Sequence, residues 1–259
     1  MASRPRHADV AKTSPWLRIG APLATGVVLF LVWIIATATS AVPPEVLPPP
    51  AKVAEKFAAL ANSGQLGQAT LVTAWEAVLG CLLGAAVGLP LGIAIATWPL
   101  ISAAVAPYLA SSQAIPAIAI APLLVIWVGY GLLPVVLLCG LLVFFPVTLA
   151  TALGLRQVDS EVLDAARMDG AHGGSLLRWI SWPLALPTVL TGLRNGFTLS
   201  ITGAVVGEFV MGGHGLGLLL STQSARADTA GLFASLLTLS ALAIICYLTL
   251  LSIERKLAQ

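Results

Sequence analysis

Residues 71–96 form an apolar run whose one charge is Glu76, and within it Gly80, Gly84, Gly88 and Gly92 recur every four residues. No other feature of the chain narrows its possible folds so far. That spacing sets the four glycines on one helix face. A face without side chains lets a second helix come to backbone distance, which is how small-xxx-small helices pack in membranes. A helix of this length, rising about 1.5 Å per residue, exceeds the ~30 Å hydrocarbon core of a bilayer. Comparable apolar runs occupy residues 19–38, 102–128, 132–153, 184–210 and 232–253, so the expected fold is all-α and polytopic, with six transmembrane helices. Only 9% of the 259 residues are charged, against about 25% in a soluble domain, so water alone is an unsuitable solvent for this chain.

Residues 1–18 read as a polar tail carrying Arg4, Arg6, Lys12 and Arg18 against Asp9, ahead of a first transmembrane helix at residues 19–40. Ala36-Thr37-Ala38 resembles a signal-peptidase site. The preceding apolar stretch is longer than the ~7–15 residues of a signal core, and a retained anchor is expected. Residues 41–68 hold Pro43-Pro44 and Pro48-Pro49-Pro50, then an amphipathic patch with Lys52, Glu55 and Lys56. They are expected to form an extended external linker ending in an interfacial helix. Residues 69–259 then form a core of five further helices.

The run at 102–128 is broken by Pro107, Pro116 and Pro122 and contains Ser111, Ser112 and Gln113. Irregular backbone at membrane depth survives where it is buried in protein or faces a watery cavity, so this segment is either a pathway lining or a kinked packing helix. The run at 184–210 repeats the glycine pattern at Gly192/Gly196 and Gly203/Gly207 and carries Arg194 and Glu208, charges that are expensive in hydrocarbon. Ser111, Ser112, Gln113, Arg194 and Glu208 are therefore the candidate translocation-pathway residues, with helix pairing the alternative for Arg194, Glu208 and also Glu76.

One polar stretch interrupts the apolar pattern at length: residues 154–183 contain DSEVLDAARMDGAHGGSLLRWISWP. Asp159 or Ser160 can cap a helix with Glu161 in its first turn, and Gly170 stands where a left-handed terminal residue belongs. Val162, Ala165, Ala166 and Asp169 share one face, which the alanines leave flat, a surface suited to docking. Asp164-Ala165-Ala166, Gly170, Ile180 and Pro183 resemble the EAA loop of ABC importer permeases, with Asp164 in place of the usual Glu and Trp182 in place of a common Leu. From about residue 70 onward the chain is similar to permeases of the nitrate, sulfonate, taurine and bicarbonate importer family. The resemblance implies a type I ABC importer permease fold. It also implies that Asp164, Ala165, Ala166 and Gly170, flanked by Arg167 and Asp169, contact an ATPase. The partners so implied are an ABC ATPase dimer, a second permease copy forming a homodimer, and an extracytoplasmic substrate-binding protein. The implied cargo is a small anion such as a sulfonate, taurine or nitrate, or else a vitamin or pyrimidine precursor.

Nothing in the chain provides for catalysis. No Walker A pattern is present, and the glycine-rich Met211-Gly212-Gly213-His214-Gly215-Leu216-Gly217 lacks the Lys-Ser/Thr of a phosphate loop. Cys81, Cys139 and Cys246 lie in separate apolar runs without ligand spacing, so neither metal nor cofactor is expected. A net charge of +2 gives no basic face for nucleic acid. Arg4, Arg6, Lys12, Arg18, Arg156, Arg167, Arg178, Arg255 and Lys256 fall on one side of a six-span topology and Lys52, Lys56 and Arg226 on the other. The positive-inside rule makes the loop and both termini cytoplasmic in a bacterial plasma membrane. An ion-coupled carrier and a non-transporting scaffold are the competing readings.

Overall fold

The computed structural model describes residues 15–39, 42–112 and 115–257. Among them the helices are α1 (Pro15–Ala38), α2 (Pro50–Asn62), α3 (Gln65–Thr97), α4 (Pro99–Ser112), α5 (Ala117–Val128) and α6 (Leu132–Arg156). There follow α7 (Ser160–Met168), α8 (Gly173–Leu176), a π-helical turn (Leu177–Ser181), α9 (Trp182–Met211), α10 (Leu216–Ala225) and α11 (Thr229–Leu257), with no strand among the described residues. Arg4, Arg6, Lys12 and Gln113 lie outside the described residues.

The chain divides into two compact units, residues 1–55 and 56–259. Within the first, the Trp33 Nε1–H donates to the Pro48 carbonyl at 3.0 Å, tying the proline-rich segment to α1. That segment is not the extended polyproline stretch its composition predicts. The Val46 and Leu47 amides both donate to the Pro43 carbonyl, closing a turn, and Pro50 opens α2, where its missing N–H leaves no intrahelical bond unmade.

The second unit is built around α6, which is gripped from two sides by glycine. On the α3 side, Gly84 lies against the Gly140 carbonyl and Val143, Gly88 against Phe144 and Thr148, and Gly92 against Thr151. Numbers rise together, so α3 and α6 run parallel. On the α9 side, Gly196 faces Val143 and Val147, Gly203 faces Cys139 and Leu142, and Gly207 faces Val135, so α9 runs antiparallel. Bare helix faces bring backbones close enough for van der Waals contact along the whole seam, which is the main attraction left between helices when lipid solvates apolar side chains equally well. The core formed where these helices meet α5 contains Ala77, Leu124, Leu138, Cys139, Ile201 and Ala204. Buried hydroxyls along these helices are satisfied by carbonyls: Thr148 and Thr151 donate back to Phe144 and Val147 at 2.7 Å, and Ser200 donates across to the Ala77 carbonyl at 2.7 Å.

Three described helical stretches are long and apolar enough to cross a bilayer, Gln65–Thr97, Leu132–Arg156 and Thr229–Ser252. A fourth is the pair Gly173–Met211 and Leu216–Ala225, bent by 44° across a break. Ala24–Ala38, Pro99–Leu109 and Ala117–Val128 are apolar but shorter. The single third span expected from hydropathy is thus two helices, α4 and α5, parted just before Pro116, whose ring denies the residue before it the α conformation. Large apolar side chains such as Leu71, Trp75, Leu82, Ile126, Ile244 and Leu248 point outward from these helices, an arrangement suited to lipid and unsuited to water.

Candidate functional site

Between α6 and α9 the chain leaves the apolar bundle and forms α7, a helix of nine residues none of which is buried. Isolated helices this short are marginal in water, so its ends must be held. Asp159 is the cap: its carboxylate accepts from the Glu161 N–H at 2.9 Å. At the other end the Ala171 N–H donates to the Ala166 carbonyl at 2.9 Å and the Gly170 N–H to the Arg167 carbonyl at 3.0 Å. This reciprocal pair is the Schellman closure, which needs a left-handed residue, and Gly170 has φ +91°. Asp164 and Arg167 pair along the surface at 2.6 Å. Leu163 and Ala166 turn partly inward, while Val162, Asp164, Ala165, Arg167, Met168, Asp169 and Gly170 are exposed. All six residues singled out in the loop, Asp164 to Arg167 with Asp169 and Gly170, therefore lie together on one short capped knob.

The knob is fixed to the bundle at both roots. On the α6 side, Arg156 donates through Nη2 to the Ile95 carbonyl at 2.9 Å and to Ser102 Oγ at 2.7 Å, joining the ends of α3, α4 and α6 three residues before the Asp159 cap. On the α9 side, His172 and Ser175 form a capping box that starts α8, with Ser175 Oγ accepting from the His172 N–H at 3.0 Å. The π turn follows, and its wider winding comes immediately before Pro183, which has no N–H to donate and whose ring crowds the carbonyl four residues back. Leu177 and Trp182 then pack on Leu155, Ala185 and Val189, together with Leu89, Ile93 and Ala96 of α3. A push on α7 thus reaches α6 through one root and α9 through the other, and α3 through both. The sequence flagged Arg156 only as a boundary charge; its bonds to residues 61 and 54 positions away leave no local signal.

The five pathway candidates are not brought to one place. Ser111 is exposed on α4 and its hydroxyl donates back to the Pro107 carbonyl at 2.9 Å. Ser112 ends α4, and Gln113 is outside the described residues. Arg194 pairs with Glu254 of α11 at 2.8 Å and lies over the Tyr247 ring at 5.2 Å. Glu208 is fully buried, accepting from Thr73 Oγ1 at 2.6 Å. Along α9, Arg194 and Glu208 stand about 21 Å apart at 1.5 Å per residue. An apolar cavity of about 410 Å³ lies between α5, α6 and α9, lined by Ile120, Leu142, Phe145, Pro146 and Leu199 among others. Ser111, Arg194 and Glu208 are not among the described residues that line it.

Residues 88–259 match the family described as binding-protein-dependent transport system inner membrane component. The chain belongs to that family. It is 38% identical over 244 residues to the riboflavin transport system permease protein RibX of Chloroflexus aurantiacus, covering 94% of this chain and 91% of the relative. It is 30% identical over 243 residues to the taurine transport system permease protein TauC of Escherichia coli, covering 91% and 87%. A solved chain of the MetNI methionine ABC transporter in an inward-facing conformation superposes with a TM-score of 0.68 at 19% identity, covering 75% of this chain and 97% of that one, a likeness of fold. The protein is accordingly the permease subunit of an ABC importer, a multi-pass inner-membrane component that carries out no catalysis itself. Members of the family work with an ATPase subunit and a substrate-binding protein.

Proposed function

We propose that α7 is the contact through which an ATPase dimer drives this permease, with Asp164, Ala165, Ala166 and Gly170 in the contact and Arg167 and Asp169 at its rim. One observation carries the reading: a doubly capped helix with no buried residue, bearing the motif residues, is rooted by separate links in α6 and α9. The loop and both termini are cytoplasmic on this reading, in keeping with the distribution of Lys and Arg. Residues 41–68 are then the external linker, residues 69–259 the permease core, and a second copy of the chain completes the pathway. Nucleotide-driven closure of the ATPase dimer moves α7, and the bundle responds as a rigid body between two access states. Ala165→Arg puts a long cation on the exposed face without touching the bundle. In proteoliposomes with ATPase and binding protein, uptake should disappear while the variant inserts at wild-type abundance. Undiminished uptake would refute the contact.

On cargo, the structure favours a vitamin or pyrimidine precursor over a small anion. Arg194, the cation among the pathway candidates, is paired with Glu254 and lies over Tyr247, and the cavity between α5, α6 and α9 is walled by apolar side chains. RibX and the formylaminopyrimidine permease ThiX, 32% identical over 234 residues, are relatives named for such cargo. Competition settles it: unlabelled riboflavin or formylaminopyrimidine should suppress uptake of the ligand that copurifies with the binding protein. Suppression by taurine instead would reverse the assignment.

A further inference from the structure

Two carboxyl groups meet inside the bundle at the end remote from α7, and the coupling role uses neither. Glu208 of α9 is fully buried and Glu76 of α3 is 5% exposed. The Glu208 carboxylate is surrounded by donors: Thr73 Oγ1 gives to Oε1 at 2.6 Å, and the Gly217 N–H in the first turn of α10 gives to Oε2. Thr73 in turn accepts from the Leu216 N–H at 2.9 Å. Gly215 and Gly217 press directly on the Glu208 side chain, so a Cβ at either position would strike it. Glu76 has no such company. It lies one turn along α3 from Thr73, beside Ala77 whose carbonyl accepts from Ser200 of α9, and its Oε2 is buried without a partner.

Among the described residues no Lys or Arg pairs with either acid; the three ion pairs lie elsewhere. Helices α5 and α10 carry no charged residue, and the one charge of α6, Arg156, is at its other end. Cys139 is a further ionisable group on α6 and His214 one in the turn between α9 and α10. The charges of α11, Glu254, Arg255 and Lys256, lie in its last turn. A carboxylate is an acceptor only, so two of them cannot hydrogen-bond to each other without a proton, and two adjacent negative charges in a dry interior repel strongly.

We propose that Glu76 holds a proton which it donates to the Glu208 carboxylate, and that this proton-bridged pair fastens the bent α9–α10 unit to α3. The geometry distributes the roles. Glu208 receives every donor, including the positive end of α10, and so is the ionised partner; Glu76, with no donor pointed at it, is the neutral one. A turn made of Gly212, Gly213 and Gly215, all at positive φ, has little stiffness of its own, and the pair supplies the anchorage. The acids thus position the turn.

The test is infrared spectroscopy of the full chain purified in an ester-free detergent at neutral pH, with glutamate carbon-13 labelled. Wild type should show a protonated-carboxyl C=O stretch that moves both with the label and in deuterium oxide. Glu76→Gln should abolish that band. Because the amide still donates to Glu208, this variant should keep wild-type abundance and ATP-driven uptake. A wild-type spectrum with no label-sensitive protonated band overturns the proposal, and so does a band that survives in Glu76→Gln. The wild-type measurement stands by itself if the variant fails to accumulate. A loss of ATPase contact by α7 would leave the band untouched.

Discussion

Adding one methyl group at Gly84 tests the packing that gives the permease its shape. An ideal Cβ there lies 2.5 Å from the Gly140 carbonyl oxygen and 2.6 Å from Val143 Cβ, about 0.9 Å short of ordinary contact. The obstacle is backbone, so no rotamer change relieves it, and α3 and α6 must part over the neighbouring steps at Gly80 and Gly88. A gap of that size forfeits roughly a quarter to a half of each pairwise contact energy, and overpacking of this kind costs about 1–3 kcal/mol. That corresponds to a rise of about 5- to 150-fold in the population of opened states. Cys139, fully buried on α6 and opposite Gly80, reports the opening directly. In a Cys81→Ala, Cys246→Ala background, maleimide labelling of Cys139 should accelerate by that factor in Gly84→Ala. Gly67→Ala is the control, since nothing lies within 4 Å of its Cβ, and it should label at the parent rate. If Gly84→Ala also labels at the parent rate, the two helices are not held by glycine contact and the account of α6 as the gripped helix fails.

Other outcomes follow from the same geometry. At Gly170 a side chain meets nothing within 4 Å, but φ is +91°, so Gly170→Ala should cost roughly 1–3 kcal/mol at the end of α7 alone. Uptake should fall while Cys139 protection is unchanged; faster labelling of Cys139 would show that the loop is not mechanically separate from the core. Near the start of α11, burial pushes the Asp228 carboxyl up, but the Lys56 ammonium at 2.6 Å and the Gly231 N–H outweigh it and hold the group below its ordinary value of 3.8. A depressed carboxyl contributes stability above its unfolded value, and that stability is lost as pH falls through the lower folded value. Lys56→Ala should therefore be less stable than wild type above pH ~4 and lose less on acidification, the two thermal profiles converging as pH falls, with at most about 1 kcal/mol at stake for so exposed a pair. Identical acid profiles would remove Lys56 as the cause.

Much of the candidate site was legible beforehand because it is local. A helix cap, a first-turn acid and a left-handed terminal glycine act within four or five residues, so a cap at Asp159 or Ser160, with Glu161 and Gly170, could be assigned from spacing, and the structure takes Asp159 as the cap. The charges at membrane depth were legible only as anomalies. Arg194 and Glu254 are 60 residues apart and Thr73 and Glu208 are 135 apart, and no periodicity connects positions that distant. The sequence therefore left Arg194 open between a pathway cation and a helix-pairing residue, and its guanidinium is engaged by α11.

By itself the sequence determined the solvent of this protein, its helical content, the glycine faces and the short capped helix of the polar loop, because hydropathy, residue spacing and capping are properties of neighbouring residues. Tertiary structure decided which helix the two glycine ladders grip, that the proline-broken third run is two helices, and which side chain answers each buried charge. Those outcomes depend on how bare faces stack in three dimensions, where a carboxyl or guanidinium deprived of water takes whatever partner the packing brings within about 3 Å.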